Sequence, residues 1–205
     1  MGIEPATNLA NLANQTDITT TNTFFSSKVG KEITQSRNAC VVVANNVIGH
    51  VEDLQDLMEG IRILIGKNGV FIFEVPYLVD LIKKLEFDTI YHEHLSYLSV
   101  KPMVEFCKKF GFEIFDIKEQ TIHGGTLRYF ISRKNKKEVT QEVSNYLKTE
   151  DEKGLYSEKK LNDFANLVRT HRRTLLQLLN DLKKDGKKIV AISAPAKGNT
   201  LLNYF

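Results

Sequence analysis

Ala39-Cys40-Val41-Val42-Val43-Ala44 and Val70-Phe71-Ile72-Phe73-Glu74-Val75 are two short runs of branched and aromatic side chains. The first is followed by Asn45-Asn46 and the second preceded by Lys67-Asn68-Gly69, so each is a strand bounded by turn residues, and the first reads as buried on both faces. Between them Leu54, Leu57, Met58, Ile61 and Leu64 recur at helical spacing. Glu52-Asp53 stand at the start of that helix, where acidic side chains meet the positive end of the helix dipole. Strand, helix, strand in this order is the unit of a parallel sheet with a right-handed crossover, so the fold class is α/β.

Outward from this unit toward the N-terminus, Gly2-Ile3-Glu4 reads as the end of a strand, Pro5 as a turn, and residues 8–14 as a short helix with Leu9, Leu12 and Ala13 on one face. Glu4 then sits at a strand's carboxyl end. Ligands of open α/β sheets bind at that edge, and a carboxylate there can accept both hydroxyls of a ribose; a capping or surface acid is the competing reading. The polar run 16–23, ending in Phe24-Phe25, predicts a loop and a short edge strand.

Toward the C-terminus, residues 78–85 and 102–110 predict helices, the latter closed by Gly111. Residues 112–118 and 126–132 predict a strand pair joined through His123-Gly124-Gly125, where two glycines permit positive φ or a close approach, although a plain loop would serve equally. The charge run 134–137 predicts a linker. Two helices follow, the second long and ended by Gly186; then a strand over 188–193, and a turn, Ala194-Pro195-Ala196-Lys197-Gly198-Asn199-Thr200, into a last helix. Small residues and a lysine at a helix start suit an anion, but the order Lys-Gly is not that of a Walker loop.

The bulk figures narrow the classes. With 205 residues and 42% hydrophobic content the chain has enough apolar material for a real core. Its 28 basic and 25 acidic residues leave only +3, and the lysines are not striped with aromatics, so no nucleic-acid partner is implied. No apolar run approaches the roughly 20 residues of a membrane helix, and no signal layout opens the chain, which predicts a cytoplasmic protein with no membrane partner. Cys40 and Cys107 stand far apart in apolar segments and read as reduced core thiols, neither a metal knuckle nor a disulfide framework. The chain begins and ends inside structural elements, which predicts a piece of a longer protein.

Thr89-Ile90-Tyr91-His92-Glu93-His94-Leu95-Ser96-Tyr97 holds the densest proton chemistry: two imidazoles, a carboxylate and two phenols among apolar neighbours. It reads as a pocket wall. The spacing of His92 and His94 occurs in metal sites and Glu93 could help, but neighbouring residues on a strand point to opposite faces and no third ligand is evident, so no metal is assigned. His50, after the first buried strand, is either a satisfied core histidine or a pocket residue. Tyr97 and His171 read as packing and surface residues.

Gly2-Ile3-Glu4-Pro5-Ala6, Ala44-Asn45-Asn46-Val47-Ile48-Gly49-His50-Val51 and Tyr91-His92-Glu93-His94 together resemble the S-adenosylmethionine-dependent C-methyltransferases of nucleotide-linked keto-deoxysugars. The likeness continues through Phe71-Ile72-Phe73-Glu74-Val75-Pro76-Tyr77-Leu78, His123-Gly124-Gly125-Thr126-Leu127-Arg128-Tyr129 and the turn at 194–200, in order along nearly the whole chain. It implies a truncated Rossmann-like class I methyltransferase sheet, followed by a long helix and the start of a second Rossmann-like α/β domain. In those terms residues 1–133 are a partial methyltransferase domain lacking the first strand and Gly-rich loop, and 134–205 a helical linker with an incomplete C-terminal Rossmann-like domain. The family's zinc-binding part has no counterpart here, so zinc is expected only in that absent part.

The resemblance also implies roles. Glu4 and Pro5, with Ala44, Asn45 and Asn46, would bind S-adenosyl-L-methionine. His94 would be the base that removes a proton next to the sugar ketone, with His50, Tyr91 and Glu93 shaping the pocket, donating to the developing enolate oxygen or gripping sugar hydroxyls. Tyr77, His123 and Lys197 would contact the nucleotide-linked sugar. A non-catalytic nucleotide-sugar-binding module is the alternative. A different Rossmann-like enzyme such as a dehydrogenase is a weaker one, since no Gly-x-Gly-x-x-Gly follows a strand.

Overall fold

The computed structural model describes residues 1–36, 38–193 and 195–205. Its main sheet has the strand order β3-β4-β6-β5, with β3 at Val41–Asn45, β4 at Val70–Pro76, β5 at Phe112–Gln120 and β6 at Thr126–Arg133. β3 and β4 run parallel, with Val41 beside Val70 and Asn45 beside Glu74, and are joined by helix α3 (Leu54–Leu64). The Asp53 carboxylate caps α3 by accepting from the backbone N–H groups of Gln55 and Asp56. β6 is antiparallel to both β4 and β5. The strand-helix-strand reading holds, inside a mixed sheet.

A separate two-stranded parallel sheet pairs β1 (Gly2–Ile3) with β2 (Thr20–Thr21), connected by α1 (Thr7–Gln15). The loop and edge strand expected over 16–23 are therefore present. The periodicity did not reveal α2 (Ser27–Thr34), whose segment carries few apolar residues and a central glycine. That glycine is its packing device: a Cβ on Gly30 would lie 2.8 Å from the Gly60 carbonyl oxygen, so α2 and α3 touch backbone to backbone. Ser26 caps α2 by accepting from the Val29 N–H.

The core lies on one face of the main sheet. Phe71, Phe73, Tyr129 and Ile131 are fully buried there, and the Phe73 and Tyr129 rings stack at 4.7 Å. Helices α4 (Leu78–Lys84) and α5 (Val100–Lys109) add Leu81, Ile82, Val100, Met103 and Cys107. β3 corrects the expectation of a fully buried strand. Its exposure alternates, with Val41 54% and Val43 58% exposed. It is the edge strand of this sheet and one of its faces is uncovered; an apolar run alone does not say how many faces are covered. Cys40, just before β3, is exposed as well, so only Cys107 is a core thiol.

Beyond the sheet lie α6 (Gln141–Glu152), α7 (Glu158–Lys184) and α8 (Ala196–Tyr204). α6 is tied to the body by Glu150, which is 0% exposed. Its carboxylate accepts from the backbone N–H groups of Val100 at 2.6 Å and Lys101 at 3.0 Å and from the Tyr156 hydroxyl. Ser99, at the N-cap of α5, does not cap that helix with its own side chain. A carboxylate fifty positions later in the chain does so.

The strand expected over 188–193 is absent. Ile189, Val190 and Ile192 are 50%, 67% and 92% exposed in an irregular segment. A strand needs a neighbour to take its ladder hydrogen bonds, and among the described residues no strand lies beside it.

Candidate active site

The pocket wall is built from a turn upward. Phe87–Thr89 forms one 3-10 turn whose Phe87 is buried against Tyr204 and Phe205 of the C-terminal segment. The Glu86 carbonyl oxygen accepts from both the backbone N–H (3.1 Å) and the hydroxyl (2.8 Å) of Thr89. Thr89 is thereby fixed, and its own carbonyl oxygen lies 2.7 Å from His94 Nδ1. The Gly49 carbonyl accepts from the N–H groups of Leu95 and Ser96, which binds this loop to the Ile48–His50 turn after β3. Reciprocally, the Glu93 carbonyl oxygen lies 2.8 Å from His50 Nδ1.

These contacts set the protonation of both rings. A carbonyl oxygen can only accept, so Nδ1 carries the hydrogen in His50 and in His94, and in the neutral ring the lone pair is left on Nε2. Burial holds the His94 pKa below the usual histidine value; His50 and Lys197 push the same way, against the Thr89 bond and the Glu93 charge. His94 is thus a neutral imidazole near pH 7 with its acceptor nitrogen free of the anchoring bond. Its ring lies 4.9 Å from that of His50 and 4.4 Å from that of Tyr91.

His50, Tyr91 and His94 open on a cleft of about 220 Å³. Asn46, Glu86, Ser96, Tyr97 and Lys197 also line it, over an apolar floor of Val75, Pro76, Leu78 and Leu81. Drug-sized ligand pockets run to about 300–1,000 Å³, so this cleft is smaller than those.

Several expected residues lie elsewhere. The Glu93 side chain is 57% exposed and does not line the cleft; its contribution is the carbonyl that holds His50. The His92 side chain is 88% exposed, so it does not converge with His94. Tyr77 is buried in the core, edge-on to Tyr146 at 5.8 Å, with its phenol pushed far up by burial and the Glu150 charge. Glu4 and Pro5 directly follow β1 and do not line this cleft, and the Glu4 carboxylate accepts from the Ala6 N–H at 2.8 Å. Ala44 and Asn45 are also outside the cleft, whereas Asn46, at φ 54°, is inside. Ala44 instead borders an apolar gap between β3 and β1, with Gly2 and Ile3 on the far side. The side chain of His123, and Ala194 of the anion-like turn, lie outside the described residues. Lys197, on the first turn of α8, reaches the cleft.

Two features were invisible in the one-dimensional pattern. Glu86 is the acid that lines the cleft, a lone carboxylate between a helix and Phe87 with no motif around it. The paired glycines also have a definite use: a Cβ on Gly124 would fall 2.1 Å from Glu86 Oε1, and one on Gly125 2.1 Å from Asp80 Oδ2. The turn between β5 and β6 therefore presses backbone against two carboxylates.

A family described as methyltransferase domain matches residues 1–117, and one described as C-methyltransferase C-terminal domain matches residues 121–205. The chain belongs to the methyltransferase-domain family. C-methyltransferase NovU of Streptomyces niveus is 33% identical over 204 residues, which cover 98% of this chain and 49% of that protein. The chain spans about half the length of that curated relative. A crystal structure of a SAM-dependent methyltransferase from Anabaena variabilis ATCC 29413 superposes with a TM-score of 0.50 at 13% identity, covering 65% of this chain and 67% of the other. That likeness concerns the fold, which is the α/β class read from the strand-helix-strand unit. Among the described residues no helix is long and apolar enough to cross a membrane.

Proposed function

We propose that this chain carries the sugar-handling part of an S-adenosylmethionine-dependent C-methyltransferase, which methylates the carbon next to the ketone of a nucleotide-linked keto-deoxysugar. The observation that carries the reading is the His94 Nδ1 to Thr89 carbonyl contact of 2.7 Å in a half-buried ring, because it leaves a neutral imidazole with its lone pair available. A carbon acid next to a ketone needs a base that is unprotonated near neutral pH. His94 takes that proton on Nε2, and electron density moves to the ketone oxygen as the enolate forms. Tyr91 and His50 pack on the His94 ring and fix its plane, above an apolar floor.

The cofactor's fit rests on two strand ends. Glu4 directly follows β1 and Ala44 and Asn45 close β3; these strands flank an apolar gap of about 590 Å³ that Ala44 lines and Glu4, Pro5, Asn45 and Asn46 do not. Glu4, Pro5, Ala44, Asn45 and Asn46 would hold S-adenosyl-L-methionine, which when bound supplies an electrophilic methyl group. Asn46 directly follows β3 and lines the cleft, so it would stand between cofactor and sugar.

Proton removal is testable without the cofactor. Incubated in heavy water with a thymidine-diphosphate-linked keto-deoxyhexose, the chain is expected to wash deuterium into the carbon next to the ketone, and His94→Asn to slow this by about 100-fold or more. No exchange with the wild-type chain, or equal exchange with the variant, overturns the reading. Binding of the sugar nucleotide without exchange would favour the alternative, a binding module. A specific observation favours that alternative: among the described residues the β1–β2 sheet shares no hydrogen-bonded ladder with the main sheet.

A further inference from the structure

We infer that Glu86 is a substrate-binding residue whose carboxylate accepts a hydrogen bond from a hydroxyl of the sugar held over His94. This deepens the proposed function and rests on it, since it assigns the sugar's second polar anchor within the same cleft.

Of the three carboxylates nearest His94 in sequence, Glu93 is largely in solvent and Asp88 does not line the cleft. Glu86 does, in company with His94, Thr89 and Lys197. Its main chain cannot wander. The Glu86 N–H donates to the Leu81 carbonyl at 2.9 Å, and its carbonyl accepts twice from Thr89. The same Thr89 then anchors His94 through its own carbonyl. Acid and base are thus fixed on one turn, through a chain of hydrogen bonds that passes through a single residue.

The side chain lies against the glycine turn. Glu86 Oε1 occupies the space that a Cβ on Gly124 would take, so the glycine turn is what admits the carboxylate to this position. Partial burial raises its pKa, with Lys84 and Lys197 opposing that rise. A carboxylate held half-desolvated beside a ligand cleft gains more from a hydroxyl donor than one in open water. A sugar ring carries hydroxyls next to its ketone carbon framework, whereas an apolar ligand would leave this acid unsatisfied. The chemical class is therefore a polyhydroxylated keto sugar, recognised at the hydroxyl face by Glu86 and at the carbon acid by His94.

Calorimetric titration of the 205-residue chain separates the parts of this idea. The probes are a thymidine-diphosphate-linked keto-deoxyhexose and thymidine diphosphate alone, with wild type, Glu86→Gln and Glu86→Ala. Loss of one charge-assisted hydrogen bond is worth about tenfold or more in affinity. We expect Glu86→Ala to weaken the sugar nucleotide about tenfold or more and Glu86→Gln by less, with thymidine diphosphate alone unchanged by either. If both variants bind the sugar nucleotide like wild type, Glu86 is not a sugar contact, while the deuterium exchange by His94 still stands. If thymidine diphosphate alone weakens equally, the carboxylate serves the fold and not the sugar, which also overturns the assignment. Glu86→Gln keeps the side chain's shape and serves as the measurement should Glu86→Ala fail to fold. Failure of the wild-type chain to bind the sugar nucleotide removes both this assignment and the reading beneath it.

Discussion

Replacing Glu150 with alanine should destabilise this protein more than replacing His94 or Glu86 at the cleft. The Glu150 carboxylate is 0% exposed and takes two backbone N–H groups of the first turn of α5, at 2.6 and 3.0 Å, together with the Tyr156 hydroxyl. A hydrogen bond to a charged group contributes about 1.5–3 kcal/mol, and a buried donor left unpaired costs about 1–3 kcal/mol because no water replaces its partner. These bonds share one carboxylate, so they do not add in full, and Glu150→Ala is expected to cost about 3–4 kcal/mol. That is a large part of the roughly 5–15 kcal/mol by which a domain is stable. In a chain of this size it corresponds to a fall of roughly 10 °C in Tm. Tyr156→Phe leaves the two backbone bonds in place and should cost about 1 kcal/mol. Urea unfolding followed by circular dichroism measures both. A change below about 1 kcal/mol for Glu150→Ala would refute the claim that a remote carboxylate caps α5.

Other measurements test the site and the core. His94 is held below the usual histidine pKa of about 6.5, chiefly by burial. It therefore protonates only at more acid pH, and the acid limb of the deuterium-exchange rate should fall below 6.5 when followed by NMR. In the window between the two values the unfolded chain binds the extra proton, so stability rises with pH there and is lost as the pH falls through it. The thiols should separate sharply: exposed Cys40 reacts with a disulfide reagent in the folded protein, while Cys107, buried and with its pKa pushed up to about 12, reacts only on unfolding. A count of two fast thiols by absorbance would contradict that core.

The parts of the fold that were legible depend on local pattern. Leu57, Ile61 and Leu64 at helical spacing behind Asp53, and Val70–Val75 between turns, are set by one period and one cap each, and both elements stand where expected. Residues 188–193 carry the same kind of apolar run as Val41–Ala44, yet only the latter is a strand, because it has β4 beside it. α2 went unread because its helix rests on a Gly30–Gly60 contact, which only the folded chain supplies.

At the site, the sequence by itself determined that imidazoles and phenols gather in one stretch, residues 89–97, while it left His50 open between a core and a pocket residue. Which acid joins them was decided by tertiary structure. Glu93 is adjacent to His94 in the chain but faces solvent, while Glu86 is turned into the cleft by a 3-10 turn and by a glycine from another hairpin. The tautomers of both histidines likewise depend on carbonyls that face them only after folding. Neighbours along a chain are fixed by covalent bonds, but the direction of a side chain and the partner it meets are fixed by packing between distant segments.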